Sequence, residues 1–460
     1  MAGAAGMESI LFEAFAGAGH ELYLVGGCVR DRLLGIPERG DLDFATDAGP
    51  DRTAGILESL GLSVYGVGAE FGTVSASVSA GSAGRIEITT YRSEVYRKGT
   101  RKPKVRFGPK LEDDLVRRDF TINAMAMGPC GTLVDPCGGE ADLRAGVLRT
   151  PLDPAVTMRE DPLRMLRAMR FAGRFGFRLA DGLADAIRSS AADMSIVSVE
   201  RQLMELDGLL GLADGRGTAM GLRLLDECGL LEHVLPELVP LRNLGGRPPD
   251  GWHHLTAWDH TILAVRWASP RLLVRWAALL HDSGKPSTAA TGGDGFDRYI
   301  GHESEGARMA SAIGTRLRFP RKRRDGVAKL VRMHMRPMLF DDSWTDSAVR
   351  RLVVDAGDLL TDLMSLARAD AMALAPRASE ERAALLERLE GRISLLSEMT
   401  SRRPLPRDLG DLLRTGLYAD PSDAPRIGEA LRELLDLIAD GKIPAGRDAR
   451  FYVEFLRKRL

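Results

Sequence analysis

Apolar residues form short alternating runs over the first third of this 460-residue chain and long stretches at helical spacing over the rest. Residues 7–19 carry a helical period through Ile10, Leu11, Phe12 and Phe15. The pattern then predicts a strand over 21–25, a Gly-Gly turn, a short helix from Val29 to Leu34 and a strand through Asp41-Leu-Asp43. Asp51 to Leu60 reads as a helix. Leu62 to Tyr65, Thr73 to Val78 and Arg85 to Tyr91 read as strands separated by glycines. Residues 92–112 are polar, basic and weakly periodic, which predicts a mobile loop. From Leu143 onward strand signals nearly vanish, and 160–174, 182–190, 199–212 and 217–230 read as helices.

The expected fold class is α+β, a mixed sheet with helices followed by an almost all-helical remainder. Gly245-Gly-Arg-Pro-Pro-Asp-Gly251 reads as a linker, and Arg402-Arg-Pro-Leu-Pro-Arg407 breaks the charged helical end of the chain. The expected organisation is a head over 1–142, a helical neck and body over 143–245, a helical domain over 250–375 and a helical tail over 376–460.

Composition narrows this only a little. The chain is too long for one core, and 44% hydrophobic with 28% charged residues is ordinary for a globular protein. No apolar run approaches the length of about 18 residues that a transmembrane helix needs. The first residues lack the basic start and apolar core of a signal peptide. Four cysteines without a CxxC spacing suit a reduced, cytoplasmic chain. The 63 basic and 64 acidic residues balance, so local clusters decide. Arg92 to Lys110 holds eight cations, with Tyr96 and Phe107 interleaved and Tyr91 just before; Arg316 to Arg324 is a second basic run. Such segments contact phosphates and stack on bases, or simply form solvated faces.

Candidate chemistry concentrates in the head. Residues i and i+2 of a strand point to one face, so Asp41 and Asp43 converge. Two adjacent anions favour a cation between them, and hard oxygen ligands beside a phosphate cradle favour Mg²⁺. The turn at Gly26-Gly27 can bring backbone N–H groups to that spot. Glu87 lies on a later strand, with Ile86 and Ile88 facing the other way; it reads as a third carboxylate near the metal or as a solvent-facing residue.

Leu24-Val-Gly-Gly-Cys-Val-Arg-Asp-Arg-Leu-Leu-Gly35 followed by Asp41-Leu-Asp43 resembles motif A of class II tRNA nucleotidyltransferases, the CCA-adding enzymes, and of the related bacterial poly(A) polymerases. Four more blocks continue the resemblance in order, over roughly residues 20–210: Arg117-Arg-Asp-Phe-Thr-Ile-Asn-Ala124, Asp135-Pro-Cys-Gly-Gly-Glu-Ala-Asp-Leu143, Glu160-Asp-Pro-Leu-Arg-Met-Leu-Arg-Ala-Met-Arg170 and Glu200-Arg-Gln-Leu-Met-Glu-Leu206. The resemblance implies a polymerase-beta-like head. Asp41 and Asp43 would hold Mg²⁺ with Glu87 beside them, and Gly26, Gly27 and Arg30 would cradle the triphosphate. Asp119 would accept from the ribose 2′-hydroxyl, assisted by Arg117, Arg118 and Asn123. The competing reading is that Arg117 and Arg118 only pair with the acids of 112–114.

Pro162 suits a helix first turn, which makes Asp161 and Arg164 i, i+3 neighbours. In the family such a pair reads the Watson–Crick edge of C or A without a template, so this role is carried to Asp161 and Arg164, with Arg167 and Arg170 further along the helix at the nucleotide. The structural alternative is an ordinary surface ion pair. Gly68-Ala-Glu-Phe-Gly-Thr-Val74 and a long 92–112 loop resemble full CCA-adding enzymes; a long loop also occurs in A-adding ones.

A second cluster follows. His281-Asp282 ends an apolar helix, His260 lies 21 residues earlier, and His302, His334 and Asp370 follow. Leu279-Leu-His-Asp-Ser-Gly-Lys-Pro286 resembles the core of HD phosphohydrolase domains, with Ser283 in place of the usual small apolar residue. The resemblance implies His260, His281, Asp282 and Asp370 as ligands for Zn²⁺, Mn²⁺, Ni²⁺ or Mg²⁺, with His302 and His334 near the scissile phosphate or on a second metal.

The sequence therefore leads to template-independent addition of CCA to the tRNA 3′ end from CTP and ATP, with HD phosphohydrolase activity besides, and no membrane partner. The alternatives are a poly(A) polymerase, a partial CC- or A-adding enzyme, and an HD phosphohydrolase whose head only binds RNA. The oligomeric state stays open at this stage.

Overall fold

The computed structural model describes residues 4–37, 41–65, 72–77, 85–95, 104–107, 110–245, 255–291, 297–401, 405–406, 408–420, 423–439, 442–444 and 446–459. Gly68 to Phe71 of the Gly68–Val74 block, most of the 245–251 linker, His253 and His254, and part of 402–407 lie outside the described residues. The backbone forms two compact units, residues 1–209 with 216–236 and residues 210–215 with 237–460. The expected α+β class is borne out.

In chain order the first unit contains α1 (Ala4–Gly17), β1 (Leu22–Val25), α2 (Gly27–Leu33), β2 (Leu42–Thr46), α3 (Pro50–Ser59), β3 (Ser63–Tyr65), β4 (Thr73–Ser77), β5 (Arg85–Thr90), β6 (Arg92–Val95), β7 (Lys104–Phe107), α4 (Leu111–Val116), β8 (Ala126–Met127), β9 (Leu133–Val134), α5 (Gly139–Ala145) and β10 (Val147–Leu148). It continues with α6 (Pro154–Glu160), α7 (Leu163–Phe175), β11 (Arg178–Leu179), α8 (Leu183–Ser190), α9 (Val199–Leu210), α10 (Gly215–Glu227) and α11 (Leu231–Val234).

Seven strands form one sheet in the order β3-β4-β5-β2-β1-β8-β9. Only β2 and β5 run parallel, with Asp43 opposite Glu87 and Phe44 opposite Ile88. The register explains the two faces. Leu42, Phe44, Ile86 and Ile88 are buried on one side, where Phe12 of α1 meets Phe44 edge-on at 5.9 Å. Each such side chain contributes about 1.5–3 kcal/mol when fully buried. The period of two then leaves Asp43 and Glu87 on the other side, away from that packing.

The segment 92–112 corrects the expectation of a loop. It carries β6 and β7, paired antiparallel with Arg92 opposite Phe107, and the start of α4. Val95, Val105 and Phe107 are too sparse among the charges to show a strand period in the sequence. Residues 96–103 and 108–109 lie outside the described residues. The acids Glu112, Asp113 and Asp114 occupy the first turn of α4, where the helix dipole favours them. A further small parallel pair, β10 with β11, sits in the region expected to be helical.

The second unit contains α12 (Ala257–Trp267), α13 (Leu272–Leu280), α14 (Lys285–Thr288), β12 (Ala290–Thr291), β13 (Asp297–Arg298), α15 (His302–Arg316), α16 (Arg321–Met333), α17 (Met335–Met338), α18 (Asp346–Ala356), α19 (Leu360–Ala371), α20 (Pro376–Ser401), α21 (Leu409–Gly416), α22 (Ala424–Ala439) and α23 (Ala449–Arg457). Thr256 caps α12, accepting from the Asp259 N–H at 3.1 Å. Trp276 on α13 is fully buried against Phe319 at 4.9 Å. Gly284 allows the close approach of α15: a Cβ there would lie 2.2 Å from the His302 carbonyl oxygen. Helices α21 to α23 enclose a core of their own around Leu409, Leu413, Leu434 and Tyr452.

Candidate functional site

In the first unit an open cavity of about 610 Å³ is lined by Gly26, Gly27, Asp43, Asp119, Asn123, Asp161 and eight arginines. Gly26 has φ +68°, and a Cβ there would meet the Arg118 guanidinium at 2.8 Å. Glycine is therefore required to end β1, start α2 and keep the turn open to the cavity.

The carboxylates come next. Asp41 lies one residue before β2, and its Oδ1 accepts the Arg85 N–H at 3.2 Å. Glu87 is ion-paired to Arg85 at 2.7 Å. The Asp43 carboxyl is pushed above its usual range, first by loss of solvation, then by the charge of Glu87, with Asp41 adding to it. A divalent cation would relieve that repulsion, but Asp43 alone of the three lines the cavity, and the three carboxylates do not close into a ligand group among the described residues. Cys28 donates to the Asp41 carbonyl at 3.4 Å, and burial pushes its thiol up to about 11, so it is no nucleophile at neutral pH.

Arg30 is buried, bonded to Asn123 at 2.5 Å and to Asp31 at 2.6 Å, with Phe171 and Phe175 against its guanidinium. Arg117 and Arg118 both pair with the buried Asp114, at 2.7 and 3.1 Å, so the pairing weighed from the sequence does occur. Both arginines still line the cavity. Asp119 accepts from Phe120 N–H, the Asn123 amide and, through its second oxygen, two nitrogens of Arg167. Burial alone would raise its pKa; the Arg167 charge and these bonds bring it below the usual carboxylate range. All its acceptor positions are used in this arrangement.

Asp161 sits in extended backbone just ahead of α7, which begins at Leu163 with Pro162 at its cap. Its two oxygens accept from the Leu163 N–H at 3.2 Å and from Arg201 at 2.9 Å. Arg164 donates to the Arg117 carbonyl at 2.8 Å and faces Glu160 at 3.4 Å. Four residues outside the sequence-derived set complete the cavity's support. Asp114 holds Arg117 and Arg118, Glu205 holds Arg170 at 2.5 Å and Arg167 at 3.5 Å, Asp31 holds Arg174 at 2.9 Å, and Arg201 holds Asp161. The alternation of charges at 200, 201 and 205 within one block was the available signal.

The second unit gathers six side chains: His260 from α12, His302 from α15, Asp370 from α19, His281 and Asp282 from the turn after α13, and His334 from the turn between α16 and α17. His260, His281 and Asp370 form one group, and Asp282, His302 and His334 another, with ligating atoms within 4.8 Å in each. His260 Nε2 lies 3.0 Å from Asp370 and 3.4 Å from His281 Nε2; His302 and His334 meet through Nε2 at 3.2 Å. The opposite ring nitrogens face the carbonyls of Ala373, Ala278, Tyr299 and Val331. Those carbonyls place a proton on each Nδ1 and turn the Nε2 lone pairs inward. Burial drives His334 down to about 3 and lowers His281, so both are neutral and ligand-competent at neutral pH. Facing lone pairs call for a cation, and the donors fit a divalent metal.

A glycine turn, strand carboxylates and an arginine-lined cavity define a nucleotidyltransferase head, here on one chain with a histidine–aspartate centre. Residues 22–149 match the poly A polymerase head domain, 176–241 the probable RNA and SrmB-binding site of polymerase A, and 254–375 the HD domain. The chain is 35% identical to an A-adding tRNA nucleotidyltransferase of Deinococcus radiodurans over 94% of both proteins. It is 33% identical to a CC-adding tRNA nucleotidyltransferase of Thermus thermophilus over 95% of this chain and 94% of that one. A CCA-adding enzyme of Geobacillus thermodenitrificans is 40% identical over 58% of this chain and 60% of its own length. Among solved structures, the Bacillus stearothermophilus CCA-adding enzyme in complex with CTP matches with a TM-score of 0.65 and 26% identity, over 100% of this chain and 99% of that one. The chain belongs to the tRNA nucleotidyltransferase family and is a nucleotidyltransferase, a class that works with a divalent cation.

Proposed function

We propose that this protein completes the CCA end of tRNA from CTP and ATP without a nucleic-acid template. The observation that carries it is one cavity lined at once by the Gly26-Gly27 turn, by Asp43 and by Asp161 with Arg164. Phosphates, metal-binding carboxylate and base-reading groups thus share a space of nucleotide size. Relatives named for A, CC and CCA addition all align with the chain; the blocks at 68–74 and 92–112 favour the complete reaction.

Asp41 and Asp43 would hold Mg²⁺, with Glu87 released from Arg85 to join them. Bound there, Mg²⁺ polarises the α-phosphate and lowers the pKa of the attacking 3′-hydroxyl. The Gly26-Gly27 backbone and Arg118 receive the triphosphate; Arg30 supports the turn from behind through Asn123. Asp119 shapes the ribose site by fixing Asn123 and Arg167. Asp161 accepts from the amino group of C or A, and Arg164 donates to the adjacent ring nitrogen; the carbonyls of U and G meet a carboxylate instead. tRNA ends are matured in the cytoplasm in this reading, and no described helix is long and apolar enough to cross a membrane.

Incubation with tRNA lacking its last three nucleotides, Mg²⁺, CTP and ATP should add three residues, and omitting CTP should add none. No extension of tRNA lacking all three nucleotides while A is still added to tRNA ending in CC, or long A tails, would reject full CCA addition.

The second unit supports a separate metal-dependent phosphohydrolase activity, because two adjacent triads of buried ligands are oriented by backbone carbonyls. The test is hydrolysis of a 2′,3′-cyclic phosphate at a tRNA end after loading with Mn²⁺, Ni²⁺, Zn²⁺ or Mg²⁺ in turn. Absence of turnover with every metal would remove this activity.

A further inference from the structure

The carboxylate of Asp161 is fixed from two sides. One oxygen accepts the Leu163 N–H, which belongs to the helix start itself. The other accepts Arg201, which comes from α9. Glu205 lies one turn further along α9, on the same side, and grips Arg170 and Arg167 of α7. Glu205 is 3% exposed, whereas the Arg201 side chain is about half exposed at the cavity rim. One helix, α9, therefore holds the base-reading carboxylate and the arginines beside it.

We propose that Arg201 is a positioning residue for base selection: it locks the Asp161 carboxylate in the orientation that accepts an amino group and repels a carbonyl. The proposal rests on the base-reading role of Asp161. Each carboxylate oxygen has two acceptor positions, so the bonds to Leu163 and Arg201 leave one position on each oxygen for the base. Discrimination against U and G depends on an anion that cannot swing aside. A partly buried aspartate held only at one oxygen rotates about its side-chain bonds and lets a carbonyl pass; a second anchor from another helix stops that rotation. The Arg201 guanidinium also supplies a donor at the edge of the site, which keeps the carboxylate facing the cavity in the absence of nucleotide.

The test is kcat/KM for CTP, UTP, ATP and GTP on full-length Arg201→Ala, Arg201→Lys and Asp161→Ala proteins, each with tRNA ready for C or for A. Arg201→Ala should lower the CTP-to-UTP and ATP-to-GTP ratios by about tenfold, the scale of one lost polar discrimination contact. Arg201→Lys should recover part of the ratio, because an ammonium keeps the charge and loses the planar fork. A parallel fall for all four nucleotides, with ratios within about twofold of the wild type, means a structural role only and overturns the proposal. If Asp161→Ala itself leaves the ratios unchanged, the base-reading role fails and this proposal with it. If Asp161→Ala collapses them and Arg201→Ala does not, only the Arg201 assignment fails.

Discussion

Around the nucleotide cavity eight arginines stand at a wet surface, mostly held by carboxylates, while around the histidine–aspartate centre four imidazoles and two carboxylates are buried within a few ångströms of one another. In the first region the cations belong to the protein and the missing partner is anionic: a triphosphate and an RNA backbone. In the second the protein supplies lone pairs and anions, and the missing partner is cationic. Lys285 brings a positive charge to the second cluster, at 2.7 Å from Asp282. Openness follows from ligand size. A nucleotide and a tRNA end need a cavity, whereas a metal needs only converging atoms.

The largest effects should separate the two regions. Asp43→Ala should reduce nucleotide addition by at least about a thousandfold, the scale of losing a main stabiliser of transition-state charge. Hydrolysis by the second centre should persist, and loss of both activities in a folded protein would break the separation. In the mirror experiment, His281→Ala should abolish both tight divalent-metal retention after dialysis and hydrolysis. CCA addition should survive it. Metal content by elemental analysis and tRNA end extension read the two outcomes independently.

How much of this was legible beforehand differs between the regions as well. Asp41 and Asp43 could be placed together because strand periodicity fixes the face, and Ile86 and Ile88 turned Glu87 away from the core, toward either a metal or solvent. His260, His281, Asp282 and Asp370 could be grouped because their order along the chain and the block Leu279–Pro286 resemble the core of HD domains. The arginine supports were not legible. Asp114, Glu205 and Arg201 act through partners between 3 and 40 positions away, and nothing local distinguishes a buried holding acid from a solvated one. The hairpin of β6 and β7 was missed for a related reason, since charge obscured the apolar alternation. Asp119 was read as the acceptor for the ribose 2′-hydroxyl, and the bonds its oxygens accept from Phe120, Asn123 and Arg167 had no signal in the spacing.

A smaller effect sharpens the comparison inside the arginine-rich region. Glu205→Ala removes the shared anchor of Arg167 and Arg170, both still partly hydrated. Destabilisation of about 2 kcal/mol is expected, below the 3–5 kcal/mol range of roughly fully buried pairs because water can reach the released arginines. Nucleotide addition should fall by about tenfold as both guanidiniums lose their set positions. Calorimetry that shows no loss of stability would mean the carboxylate is dispensable to the cavity wall.

The smallest effect concerns pH. Burial would raise the Asp114 pKa, but Arg118 and Arg117 outweigh it and bring the carboxyl below its ordinary value. The group is depressed in the folded state, so the unfolded chain binds its proton first as the pH falls. Its contribution to stability is complete above the unfolded value of about 3.9 and is lost as the pH drops through the folded one. Asp114→Asn deletes that contribution while keeping size and one acceptor oxygen. The gap in urea midpoint between wild type and variant should therefore be constant from neutral pH down to about 5 and should shrink below about 4. A gap that stays constant to the lowest pH at which the protein folds would show that Asp114 works as a neutral hydrogen-bonding group. The two cavity-lining arginines would then be held by shape and not by charge.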